Sequence, residues 1–324
     1  MKIGFRCTEG GQRFDEALTE VRRAEEFGFD SAWVAEHHGW DAKWPNSYIA
    51  LAGFAAATDE IEFGTGVTIL PQTNPVSLAG AANLVDVVSD GRFILGVGTG
   101  WRRDEMENLG YDFESRGPRM TDHLCALNEL WEPGPSSYDG RFVSFEEFDL
   151  APESIRDPRP PIWVGGGSTP ALKRAACLGD AWLPSWREPF DALEEKYATY
   201  ESFLDDADGS NRSVPLLRIA CIDEDGDVAR EKLRTLLTEL VESYRAKGST
   251  VPEAWVSALE GDIDEFAQDL FVYGTPSECA AQLERYREAF GVDHAVLRLA
   301  TPTTDHEDVM EAVDLFGRRV IPDL

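Results

Sequence analysis

The run Trp33-Val34-Ala35-Glu36-His37-His38 closes an apolar stretch with a carboxylate and two imidazoles, side chains suited to moving protons near neutral pH. A strand that serves only the core ends in turn residues; this one delivers acid–base groups to its rim. His37 is the expected acid/base, Glu36 the expected partner that fixes its tautomer, and His38 a structural or substrate-facing neighbour. Glycine carries a second chemistry. Gly165-Gly166-Gly167-Ser168 sits between the apolar Ile162-Trp163-Val164 and a helix that starts near Pro170. Three glycines let backbone approach a ligand closely, and the N–H groups that open a helix lack intrahelical partners, so this loop is expected to hold a phosphate. Gly96-Val97-Gly98-Thr99-Gly100 lacks the G-x-G-x-x-G spacing and does not open the chain, which argues against a dinucleotide fold.

These groups need a scaffold that brings them to one place. Strands are expected at 2–6, 30–35, 61–70, 92–97, 161–164, 180–183, 215–222 and 294–299. Helices are expected at 14–27, 48–57, 76–88, 120–131, 170–178, 189–204, 229–246, 277–290 and about 307–316. Eight near-continuous apolar strands, each followed by a helix, predict an α/β chain folded over 1–324 as one (β/α)8 TIM barrel, with insertions at about 133–160 and 248–274. Within the first insertion, Arg141–Phe145 reads as a hairpin arm. The Glu-His-His run follows strand two, Thr65-Gly66-Val67-Thr68 closes strand three, and Gly98-Thr99-Gly100 follows strand four. Gly165–Ser168 follows strand five and Pro184-Ser185-Trp186 strand six. In a parallel barrel all of these lie at the C-terminal mouth, where barrel enzymes keep their active sites. There the strand-four glycines would clear space for a flat ring, and Trp40, Trp44, Trp101 and Trp186 would wall an aromatic pocket.

Sixty acidic against 30 basic residues leave a formal net charge of −30, and the basic set is 24 Arg to 6 Lys. The acids are spread over helix faces, as at Glu16, Glu20, Glu194, Glu195, Asp205 and Asp206, rather than gathered in a tail. Such a surface repels itself in dilute buffer, and salt shortens the reach of that repulsion to about 3 Å at 1 M. The pattern predicts adaptation to a salty cytoplasm and argues against nucleic acid, which needs a basic footprint. Cys7, Cys125, Cys177, Cys221 and Cys279 are scattered, with no CxxC and no ligand-like spacing to histidine, so small buried thiols are expected and no metal site. No apolar stretch approaches the ~20 residues of a membrane span and the first strand starts at once, so a cytoplasmic location is expected. None of the six lysines ends a predicted strand, which counts against a Schiff-base aldolase barrel.

Several stretches carry a family resemblance together. They are Arg22 to Asp30 with Glu36-His37-His38, Gly64-Thr65-Gly66-Val67, Gly91 to Trp101, Pro161 to Ser168, and Gly274-Thr275-Pro276-Ser277-Glu278-Cys279. Over nearly the full length the chain resembles the bacterial luciferase-like superfamily of flavin- and deazaflavin-dependent oxidoreductases, whose fold is a (β/α)8 barrel with insertions. The resemblance implies His37 beside the isoalloxazine or deazaflavin ring and a non-prolyl cis peptide at Gly66-Val67 behind it. It implies Gly66, Val67, Thr68, Gly98, Thr99 and Gly100 around the ring, and Gly165, Gly166, Gly167 and Ser168 at the phosphate. Arg102, Arg103, Arg116 and Arg119 are candidates for the cofactor's anionic tail. Two chemistries compete within the family. In one, coenzyme F420 exchanges hydride with a small organic substrate while His37 exchanges the proton. In the other, reduced FMN from a partner flavin reductase activates oxygen. The acidic composition is associated with organisms that use F420, so that reading comes first; an FMN-dependent monooxygenase and a non-catalytic flavin-binding barrel are the alternatives. A small-molecule substrate and a homo-oligomer are expected.

Overall fold

The computed structural model of the chain describes residues 1–10, 13–40, 43–204, 212–246, 251–299 and 304–324. In chain order its first half runs β1 (Lys2–Arg6), α1 (Phe14–Glu26), β2 (Ser31–Val34), α2 (Ser47–Ala55), β3 (Glu62–Thr65), β4 (Thr68–Ile69), α3 (Pro75–Val88), β5 (Phe93–Gly98), α4 (Arg103–Asn108) and α5 (Arg116–Leu130). There follow β6 (Ser136–Asp139), β7 (Ser144–Phe148), β8 (Ile162–Gly165), α6 (Thr169–Leu178), β9 (Ala181–Leu183), α7 (Phe190–Glu201) and β10 (Pro215–Ile222). The last part holds α8 (Gly226–Ala246), α9 (Glu253–Glu260), α10 (Ile263–Ala267), β11 (Phe271–Gly274), α11 (Pro276–Phe290), β12 (His294–Arg298) and α12 (His306–Arg319).

Nine strands join in the parallel order β11-β10-β12-β1-β2-β3-β5-β8-β9, and β4 pairs with β5. The first and last principal strands lie side by side, Lys2 opposite His294 through to Arg6 opposite Arg298, and β9 comes alongside β10, which curls the sheet into the expected barrel. β1, β2, β5, β9, β11 and β12 are buried along nearly their whole length, as required when helices cover the outside and side chains fill the inside. The interior is plugged by Trp33 and Trp163, stacked at 4.9 Å, with His294 set edge-on to Trp163 at 5.1 Å. The Trp33 indole N–H donates to Ser31 Oγ (2.8 Å), which lies 2.6 Å from His294 Nε2, so the polar atoms of the plug satisfy one another.

Four details differ from the sequence expectations. The third strand is not continuous over 61–70: the cis Gly66–Val67 peptide that the family resemblance implied is present and separates β3 from β4. In the first insertion, Arg141–Val143 form the turn of the β6–β7 hairpin rather than an arm, because the Asp122 carboxylate accepts the Arg141 and Phe142 N–H groups at 3.0 and 2.7 Å and pins the tip to α5. The second insertion, from residue 251 on, holds α9, α10 and the added strand β11; its start at 248–250 lies outside the described residues. Cys7, Cys221 and Cys279 are buried as expected, but Cys125 is half-buried and Cys177 exposed.

Candidate active site

Past β2 the chain stays extended, Glu36 bridging in parallel to Trp44 and the His37 N–H donating to the Trp44 carbonyl at 3.0 Å. That pairing holds His37 at the mouth. The short helix α4, just beyond the glycines that end β5, brings Glu105 to it. Glu105 accepts from His37 Nδ1 at 2.8 Å, from the His38 backbone N–H at 2.7 Å and from Gln72 Nε2 at 3.3 Å. Burial alone would raise the Glu105 pKa, but the hydrogen bonds from the two histidines hold it well below the ordinary carboxylate range. An ionised carboxylate only accepts, so Nδ1 of His37 carries a proton, and in the neutral ring the lone pair is then on Nε2. His37 lines a cavity at the barrel mouth.

The partner that fixes the His37 tautomer is therefore Glu105, not Glu36. The buried Glu36 side chain instead faces the backbone amides of Ser47 and Ile69, and burial, only partly offset by His38, pushes its pKa up to about 7. Because the folded chain binds this proton more tightly than the unfolded one, the stability it contributes is complete below about pH 4.5 and is lost as pH rises to about 7. Glu36→Gln removes the titration. Relative to the parent chain it should gain about 3 kcal/mol between pH 4.5 and pH 8, read from denaturant midpoints; an unchanged difference across that range would place the Glu36 carboxylate in water.

The cavity has a volume of about 460 Å³, within the ~300–1,000 Å³ of cofactor and small-molecule sites. Of the expected residues it brings together Glu36, His37, Gly66, Val67, Gly98, Thr99, Gly100, Gly165 and Gly166. Thr68 is not among them: it is buried, its hydroxyl 2.7 Å from that of Tyr48. Gly167 and Ser168 lie outward of the cavity at the start of α6, with Ser168 exposed. His38 also turns away, its Nδ1 at 3.3 Å from Gln72 Nε2 and 3.5 Å from Glu105, whose hydrogen bond raises the His38 pKa. Trp40, Trp101 and Trp186 wall the cavity, but Trp44 is core, packed on Phe14 and Phe54. The wall continues from His37 through Trp40 (5.2 Å) and Trp101 (6.0 Å) to Tyr244 of α8, 5.7 Å from Trp101.

Arg102, Arg103, Arg116 and Arg119 do not reach the cavity. Arg102 pairs with Asp104 and the His38 carbonyl, and Arg103 with Glu107 and Glu114; Arg116 and Arg119 stack on Phe113 and Phe142. The cations that line it, Arg6, Lys43, Arg187 and Arg298, were not foreseen from the sequence, although an arginine ending each of two apolar strands was a visible signal. Glu105 and Gln72 were missed for want of any signal, one acid among 60 and one amide in a tight turn.

The arrangement fits a flat ring with a phosphate tail. Between β5 and β8 the wall is glycine backbone, and a Cβ at Gly98 would lie 2.7 Å from Val67 Cγ2. Gly96, by contrast, serves the sheet and not the ring: its Cβ would sit 1.8 Å from the Thr65 carbonyl oxygen. α6 begins at the exposed edge of the same wall; Pro170 has no N–H and the Ala171 and Leu172 N–H groups donate to the Ser168 carbonyl at 2.8 and 3.0 Å, so it is the Thr169 N–H that the first turn can offer an anion.

The sequence profile of the luciferase-like monooxygenases matches residues 2–294. The chain belongs to this family. Among its luciferase-like relatives, the oxygenase component of a flavin-dependent trigonelline monooxygenase from Acinetobacter baylyi is 33% identical over 47% of this chain and 43% of its own length. A 5,10-methylenetetrahydromethanopterin reductase from Archaeoglobus fulgidus is 25% identical over the whole of both chains. The solved monooxygenase of Streptomyces bottropensis superposes with a TM-score of 0.86, covering 99% of each chain at 24% identity, and shares the luciferase-like barrel fold.

Proposed function

We propose that this luciferase-like chain is an oxidoreductase that transfers hydride between coenzyme F420 and a small organic substrate, with His37 exchanging the substrate proton. The observation that carries the reading is the His37–Glu105 pair at the cavity wall: Nδ1 is held by an ionised carboxylate and Nε2 is left to act. When bound, the deazaflavin ring supplies a two-electron hydride acceptor or donor. The chain does the rest. The backbone at Gly98 to Gly100 and Gly165-Gly166 would hold the ring, and the start of α6 would hold the phosphate. His37 Nε2 accepts the proton of a substrate hydroxyl, Glu105 stabilises the imidazolium, and in reverse the same atom returns the proton. Trp40, Trp101 and Tyr244 screen the exchange from water. Anaerobic incubation with F420 and a panel of alcohols tests it, read as the absorbance change of the deazaflavin.

A second reading is favoured by the oxygenase component matched at 33% identity: FMN-dependent monooxygenation, with a partner reductase supplying reduced FMN. Oxygen-dependent turnover with reduced FMN, and none with F420, would replace the first reading by this one. Binding of either cofactor without turnover would leave a flavin-binding barrel.

The glycine wall gives a direct test of cofactor placement. Gly166, at φ 121°, strains under any side chain, so the clean probe is Gly165, where a Cβ would meet its neighbours at 3.4–3.8 Å. Gly165→Ala should melt within a few degrees of the parent chain yet bind cofactor at least ~10-fold more weakly, by fluorescence titration. Equal affinity would remove this strand end from the site.

We also propose a salt-adapted homo-oligomer working in a salty cytoplasm. Among the described residues no helix is long and apolar enough to cross a membrane. On α2 and α3, Ile49, Leu84 and Val88 stand 73%, 54% and 42% exposed on helices whose other faces are already buried, an apolar surface suited to a second copy. Light scattering in 3 M KCl should show a dimer or larger that Leu84→Asp dissociates, and melting temperature should climb steeply from 0.1 to 3 M KCl. A salt-independent melt or a monomer in 3 M KCl defeats the corresponding half.

A further inference from the structure

We propose that one side of this cavity is an anion subsite, built by Arg6, Lys43 and Arg298, that seats a carboxylate of the substrate; this rests on the cavity being the substrate and cofactor site.

The charge of the wall is the first observation. Acids outnumber bases 60 to 30 in the chain as a whole, but among the described residues four basic side chains line this cavity, Arg6, Lys43, Arg187 and Arg298, against two carboxylates, Glu36 and Glu239. An acidic chain has no lack of partners for surface arginines, so an excess of cations in an enclosed space answers another need.

The placement of three of them is the second. Arg6 ends β1, Arg298 ends β12, and the two are register partners on adjacent strands. Like charges set side by side destabilise a sheet, and both arginines are buried, at 7% and 6% exposure. Lys43, 5% exposed, joins them from the loop after β2. Glu9 is shared among all three: it accepts from Arg6 Nε at 2.6 Å, pairs with Lys43, and lies 4.0 Å from Arg298 Nη2. Burial pushes the Arg6 pKa down to about 10, and burial with the charge of Arg6 pushes that of Arg298 to about 9, so both remain protonated at neutral pH. Burial and the two arginines drive Lys43 well down. A ligand carboxylate would relieve this repulsion and take charge-assisted hydrogen bonds from the guanidinium groups.

Position then separates substrate from cofactor. The phosphate of a cofactor has the start of α6 at the exposed edge of β8, several strands around the barrel from β1 and β12. Ser168, Thr169 and Pro170 at that edge are exposed, whereas Arg6, Lys43 and Arg298 are buried. Lys43 Nζ lies 5.5 Å from the Trp40 ring centre, and the His37 ring is 5.2 Å from the same ring. A compact molecule lying along Trp40 reaches both, its carboxylate on the cations and its hydroxyl or carbonyl at His37 Nε2.

Melting curves of the purified apoprotein at constant ionic strength in KCl, with benzoate or its uncharged amide benzamide as probes, test the subsite without any turnover. Benzoate should raise the melting temperature saturably and benzamide should not. Arg298→Gln should weaken benzoate ~10–100-fold. Lys43→Met, in a loop rather than a barrel strand, reads the same subsite if Arg298→Gln does not fold. With saturating F420 or FMN the benzoate shift should persist; its loss would assign the cations to the cofactor tail and overturn the proposal. Equal stabilisation by benzoate and benzamide, or undiminished benzoate affinity in both variants, also overturns it. A benzoate shift without hydride transfer sinks only the F420 reading, and turnover without the shift sinks only the subsite.

Discussion

Turnover of His37→Asn should fall by roughly 10²–10⁴, the usual share of general acid–base catalysis, while cofactor affinity changes only a few-fold. Asn keeps some hydrogen bonding but cannot shuttle a proton, and the ring would still be held by the glycine backbone of β5 and β8 and its phosphate by α6. His38→Asn should be much milder, because the His38 ring points to Gln72 and not into the cavity. Steady-state kinetics on the two variants side by side decide it. Near-full activity for His37→Asn with a dead His38→Asn would reverse the assignment, and indifference at both would make the pair structural.

Glu105→Gln should cost nearly as much, ~10²–10⁴ in turnover, by a different route. Its carbonyl can still accept the His38 backbone N–H, so the loop keeps its shape. Its amide nitrogen would then face His37 Nδ1, favouring the tautomer that puts the proton on Nε2 and withdraws the lone pair from the cavity. The imidazolium also loses its neighbouring charge. The variant should melt close to the parent chain while turnover falls; a packing role alone would lower the melting temperature and the rate together. Glu36→Gln, by contrast, should leave turnover within a few-fold. If Glu36→Gln lowers turnover that far and Glu105→Gln does not, the orienting role returns to Glu36.

The barrel and half of its mouth are written in local pattern. Strands covered on both faces are continuous apolar runs, helices carry a 3.6-residue stripe, and the turns between them are marked by glycine and by caps such as the reciprocal Thr275–Glu278 box at the start of α11. The strand ends follow directly, and with them His37 and the glycines at 66, 98, 100, 165 and 166, because a parallel barrel sends every strand end to one face. Three-dimensional pairing supplied the remainder. The break between β3 and β4 is announced only by the family resemblance at Gly66-Val67, because the apolar run itself continues through it. α4 has six residues and one buried apolar side chain, Met106, too few for a periodicity, so Glu105 could not be told from the other acids. Arg6 and Arg298 become neighbours only because the first and last barrel strands close on each other, and Lys43 reaches them only through the path of a loop. Periodicity records which face of an element is buried. Which charged side chains then meet depends on contacts between residues far apart in the chain, and those are fixed when the barrel closes.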